Sequence, residues 1–132
     1  MTNSMLPSHK GSQFESSRRL ESQSVPGAVF WIRKTSLGQR IELLTRVREL
    51  TRKYEFLKAG GPSELMEATL GDLLTTKLYV EWGLERVEGL SIDGHEASVT
   101  LLLEKGPEEL CVEIAQEVQK ECGLSEEERK NS

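Results

Sequence analysis

Apolar residues recur at helical spacing in three stretches of the chain, and these stretches set the expected fold. Between Ser36 and Gly60, Leu37, Ile41, Leu44, Val47, Leu50, Tyr54 and Leu57 step by three or four positions and form one stripe. Ser36 and Gln39 have capping-box spacing at its start, and Gly60-Gly61-Pro62 stops it; Gly38 falls in the first turn. A second helix is predicted from about Ser63, with Met66, Leu70, Leu73, Leu74, Leu78 and Trp82 on one face and Gly83 closing it. Few residues separate the two helices, so they should pack as an antiparallel hairpin. Ser98 can cap a short helix through Leu103, which Gly106-Pro107 interrupts. Pro107 then opens a final helix with Leu110, Cys111, Ile114, Ala115, Val118 and Cys122 along one side, ended by Gly123.

The remaining segments are not helical in pattern. Val25-Pro26-Gly27 is turn-like punctuation, and the following AVFWIRK reads as one short strand. That strand needs a mate. Leu90-Ser91-Ile92 with the Asp93-Gly94 turn supplies a short extended piece, either as its own hairpin or in a two-stranded pairing. Residues 1–24 hold seven serines, scattered charges and almost no apolar periodicity, too little to offset the entropy of ordering, and read as a flexible tail. Residues 124–132 begin a charged turn with a further capping-box pattern, Ser125 to Glu128. The expected fold is therefore mainly α, with about four helices, one or two short strands and a disordered N-terminal tail. The expected organisation is a tail over 1–24, one helix-rich domain over 25–123, and a charged turn or tail over 124–132.

Composition changes this picture in one respect. With 36% hydrophobic residues and 30% charged, apolar content is low for a globular domain, so part of the chain is unfolded or a partner completes the core. The longest apolar run, Ala28 to Ile32, has five residues, far below the roughly 20 that span a bilayer. MTNSMLPSHKGSQF lacks the pattern of a secretory signal, and a cytosolic location is expected. Cys111 and Cys122 would lie about 16 Å apart in one helix, too far to bridge, and read as reduced core thiols.

Charge is unevenly placed. Residues 33–58 carry a net +5, residues 59–132 a net −11 and residues 1–32 a net +1. The basic helix, with Arg40, Arg46, Arg48, Arg52, Lys53 and Lys58, invites a nucleic-acid reading. Glu42, Glu49 and Glu55 interleave these residues, and Glu42–Arg46 and Glu49–Lys53 have i,i+4 spacing. A solvated or internally paired face fits better, or one that meets an acidic protein, and nucleic acid is not expected as a partner.

Catalytic constellations are close to absent. His9 and His95 are not at metal-ligand spacing, and Asp93, His95 and Glu96 read as a polar turn. Gly60-Gly61-Pro62 lacks the Lys and Ser/Thr of a phosphate loop. Glu108, Glu109, Glu113, Glu117 and Glu121 read as the solvent face of the last helix. No catalytic residue, metal or cofactor is predicted, and the expectation is a binding protein and not an enzyme. Trp82 should be core, whereas Trp31, in a short strand near the tail, is divided between burial and anchoring a partner. Leu43, Phe56, Tyr79 and Val80 lie off the main stripes, where they either broaden the buried faces or leave apolar surface for a partner. The candidate partner-binding residues are Trp31, Arg40, Arg46, Arg52, Leu43, Phe56 and Tyr79.

Over residues 29–132 the order of motifs is distinctive: Trp82 at a helix end, Val87-Glu88-Gly89, the Asp93-Gly94 turn, Pro107-Glu108-Glu109-Leu110, and Glu127-Glu128-Arg129-Lys130-Asn131. This order resembles the tail assembly chaperones of long-tailed bacteriophages. The resemblance implies a helical protein that coats the tape measure protein during tail assembly, keeps it soluble, recruits tail-tube subunits and self-associates. Such a protein acts in the host cytoplasm, is lost from the finished virion, and in several cases has a longer form made by frameshifting, of which this would be the shorter. The serine-rich residues 1–24 are not part of the pattern. The alternatives are a structural neck or tail component of the particle and a small cellular adaptor or regulator using the basic helix 36–58.

Overall fold

The computed structural model describes residues 11–55 and 62–123. Four helices and two small sheets make up these residues, so the fold is mixed α/β, with more strand than the apolar pattern indicated. In chain order the elements are β1 (Ser17–Glu21), β2 (Val29–Arg33), α1 (Leu37–Glu55), α2 (Pro62–Gly83) and β3 (Leu84–Glu88). They are followed by β4 (Ser91–Ile92), β5 (His95–Glu96), α3 (Val99–Lys105) and α4 (Glu108–Glu121).

Strand β2 alternates as a half-buried strand should, with Phe30 and Ile32 fully buried and Val29, Trp31 and Arg33 on the other face. Its mates are β1 and β3, both antiparallel, in the order β1-β2-β3. The Asp93-Gly94 segment forms a separate hairpin, β4 with β5, pairing Ser91 with Glu96 and Ile92 with His95. Asp93 and Gly94 have φ of 52° and 81°, the two left-handed positions that a two-residue type I′ turn requires.

The expectation of a flexible tail through residue 24 is corrected by β1. Its order comes from partners remote in sequence, which local composition cannot reveal. Arg19 pairs in register with Trp31 and Leu20 with Phe30, while Arg18 reaches Glu117 at 3.2 Å and Glu121 at 3.5 Å on α4.

The capping box of α1 forms as predicted: the Gln39 N–H donates to Ser36 Oγ at 3.3 Å, and the Ser36 N–H donates to Gln39 Oε1 at 3.2 Å. Helices α1 and α2 pack as an antiparallel hairpin. At one end the Trp82 indole N–H donates to Glu42 Oε1 at 3.1 Å; at the other, Gly71 lies directly against the Tyr54 side chain. Ser98 caps α3, accepting from the Leu101 N–H at 3.1 Å. Helix α4 carries the cleanest stripe, with Leu110, Cys111, Ile114, Ala115, Val118 and Cys122 all buried, in one cluster with Phe30, Ile32, Tyr79 and Val87. Both cysteines are free, and burial raises both thiols, Cys122 to about 11, so they stay protonated at neutral pH.

Gly83 is needed where α2 crosses α4, because a Cβ there would lie 2.5 Å from Val118 Cγ2. Gly83→Ala is expected to lose about 1–3 kcal/mol in urea unfolding through this overlap. Gly38→Ala, which meets open space in α1, should be neutral or gain up to about 1 kcal/mol from helix propensity.

Candidate protein-binding surface

Helix α2 has more apolar residues than one face can hold. Tyr79, Val80 and Trp82 turn inward and are buried. Met66, Leu70 and Leu73, spaced by four and three, lie in the N-terminal half of the helix, before the buried last turns, and are 74%, 44% and 48% exposed. Leu65 is exposed as well, as are Leu37 and Ile41 on α1. Two of the six described residues in the first predicted stripe and three of the six in the second are therefore exposed. Helical spacing shows that residues share a face but not which face meets the core. The available signal was the surplus itself: a helix apolar on opposite sides must be covered twice or bind something.

The exposed stripe borders a groove. Between α1 and α2, a depression of about 440 Å³ is lined by Arg46, Glu49, Leu50 and Lys53 from α1 and by Leu74, Lys77, Leu78 and Glu81 from α2. Leu50, Leu74 and Leu78 are half-buried and form its apolar floor, while charged side chains of both signs form its rim. Leu70 and Leu74 stand one helical turn apart, joining floor to stripe. A second cleft of about 430 Å³ includes Tyr54, Gly71 and Thr75 from the hairpin with Val112 and Gln116 from α4.

The residues singled out from sequence fall in different places. Leu43, Tyr79 and Val80 are corrected as partner contacts: at 0–1% exposure they broaden the buried faces of α1 and α2. Phe56 lies outside the described residues. Arg46 is on the groove rim, within 3.9 Å of Glu42, and Arg52 is exposed. Arg40 is exposed near the C-terminal end of α4, beside Gly123, where a cation faces the negative end of the helix.

Trp31 is half-buried in the middle of the outer sheet face. Arg86 covers its ring at 3.9 Å from the centroid and Arg19 approaches at 5.9 Å, each the cross-strand neighbour of Trp31. Both arginines also pair along their own strands, Arg19 with Glu21 at 3.5 Å and Arg86 with Glu88 at 3.2 Å. Arg33 stacks on Trp82 at 4.6 Å. The outer face is thus a self-satisfied ladder, and Trp31 is not an open anchor.

Three of the five carboxylates assigned to a solvent face on α4 have structural partners instead. Glu117 and Glu121 hold Arg18. Glu113 accepts from Ser22 Oγ at 2.7 Å, the Gln23 N–H at 2.8 Å, the Ser24 N–H at 3.3 Å and Ser24 Oγ at 2.6 Å. Partial burial pushes the Glu113 carboxyl up, but the donors from Gln23, Ser24 and Ser22 together outweigh it and leave it below its ordinary 4.5. Among the described residues, no ion pair joins α1 to the acidic second half of the chain.

No group of three or more His, Cys, Asp or Glu among the described residues is placed to hold a metal ion. No helix among them is long and apolar enough to cross a membrane. Compared with known proteins, the chain matches no family model, no curated protein and no solved structure.

A carboxyl held below its unfolded value contributes stability that is present above that value and lost as pH falls through the folded one. Wild type should therefore lose unfolding free energy below about pH 4.5 as Glu113 protonates. Glu113→Gln should be less stable at neutral pH and lose less on acidification, measured by urea unfolding from neutral pH down through the carboxylate range.

Proposed function

We propose that the chain is a non-catalytic protein-binding factor, a bacteriophage tail assembly chaperone that holds the helical tape measure protein in the host cytoplasm while the tail is built. The observation that carries this reading is the stripe Met66–Leu70–Leu73, apolar, at helical spacing, and exposed to water. An unpartnered stripe beside a groove between two helices suits a partner helix laid along the hairpin. The mixed rim of Arg46, Lys53, Lys77, Glu49 and Glu81 would fix the direction of such a helix more than its affinity. Covering an apolar side chain of this size is worth about 1.5–3 kcal/mol when burial is complete. Three partly exposed side chains thus supply enough to hold a partner and little enough to release it.

The resemblance in motif order over residues 29–132 supports a tape measure protein as the partner, and the groove between α1 and α2 supports binding of a helix. Co-expression with a tape measure protein should yield a soluble complex. Met66→Glu and Leu70→Glu should each weaken it at least tenfold, and Arg46→Glu should weaken it less, with helical circular dichroism unchanged in all three. A tape measure protein that stays insoluble whether or not this chain is present would remove the chaperone reading.

A further inference from the structure

Strand β1 is an edge of the sheet, with β2 on one side and no strand on the other among the described residues. Which of its backbone groups point outward follows from two flanking hydrogen bonds. The Lys34 N–H donates to the Ser16 carbonyl and the Ser22 N–H to the Ala28 carbonyl, both at 2.9 Å, so even-numbered residues of this strand bond to β2. By antiparallel alternation, Ser17, Arg19 and Glu21 turn their N–H and C=O groups away from the sheet.

Edges that must stay single are usually blunted by proline, a bulge, a run of like charges such as lysines, or a charge pointing inward. β1 has no proline or bulge, and the one charge it points inward, Arg18, is already taken up by Glu117 and Glu121. Its five pairs with β2 run without a register shift, whereas β2 with β3 is irregular between Trp31 and Ile32. Its two outward charges are of opposite sign, Arg19 and Glu21, and both side chains are exposed. The strand is also held in place, by Arg18 on Glu117 and Glu121 and by Glu113 on the loop that follows, so little order remains to be gained on pairing.

We propose that β1 pairs with β1 of a second copy, antiparallel about a twofold axis at Leu20. In that register Arg19 stands opposite Glu21 of the second copy, and Glu21 opposite its Arg19, a doubled opposite-charge pair. Leu20 meets Leu20 on the inner face, and about four backbone hydrogen bonds form through residues 19 and 21. Shifting the axis to Arg19 would set Arg19 against Arg19, so charge selects the register. The two three-stranded sheets become one of six strands. This pairing uses the sheet and leaves the α1–α2 groove free, and it stands independently of the function proposed above.

The test uses the full chain in sedimentation equilibrium. Wild type should self-associate, with an affinity that falls as salt rises. Arg19→Glu alone and Glu21→Arg alone should each raise the dissociation constant at least tenfold, since each sets like charges opposite one another twice. An equal mixture of the two variants should recover association, because the introduced glutamate of one then faces the introduced arginine of the other, and the native Glu21 faces the native Arg19. Arg19→Pro removes one outward N–H without touching a bond to β2, and should be monomeric with unchanged circular dichroism. A wild type that is monomeric at about 100 µM, association insensitive to either charge reversal or to the proline, or a mixture that stays monomeric would each overturn the proposal.

Discussion

The packing of α4 across the sheet and the helical hairpin is the constraint from which the rest follows, because this one helix is in demand on two sides. Its apolar stripe closes the cluster that contains Phe30, Ile32, Tyr79 and Val87. Its row Glu113, Glu117 and Glu121, stepping by four, receives β1 and the loop after it. The first of these functions needs burial and the second needs charge; a helix can serve both because residues four apart share a face. Without α4, β1 would keep its pairing with β2 but lose its ionic partners, and the inner face of the sheet would lie open.

Elements built from local signals were legible in the sequence. The Ser36–Gln39 box, the Ser98 cap, the Asp93-Gly94 turn and the buried stripe of α4 depend on residues a few positions apart, and each is found where its spacing placed it. Strand β1 was not legible, since Ser17–Glu21 is polar and owes its order to β2 and to carboxylates about a hundred positions away. The candidate surface was legible only in part. Arg46 does line the groove, but Leu43 and Tyr79 stand out in the sequence only for lying off the stripes, and the core takes residues by geometry and not by membership of a stripe. Met66, Leu70 and Leu73 read as interior for the converse reason: an amphipathic pattern looks the same whether its apolar side meets the core or a partner.

The electrical two-sidedness of the sequence also takes a specific form in three dimensions. Among the described residues, the acidic second half does not neutralise the basic helix. The cation that its carboxylates draw in from outside is Arg18, from a segment with almost no net charge, while Arg40, Arg46, Arg48 and Arg52 of α1 are all exposed. The cations of the groove's mixed rim, Arg46, Lys53 and Lys77, are therefore not taken up by the acidic second half, and all three side chains are exposed.

The union of β1 with α4 has a consequence for how the molecule comes into being. Ser22 and Glu113 are separated by 91 positions, and Arg18 and Glu117 by 99. A ribosome releases the chain in order, so β1 and β2 emerge well before the helix that covers them. Until α4 arrives, a nascent chain displays the apolar inner face of its sheet and an edge strand without its ionic anchors. The β1–β2 and α1–α2 hairpins can each form in that interval, while their docking on α4 waits on a long loop closure. The groove can then be in place before the body that carries it is complete.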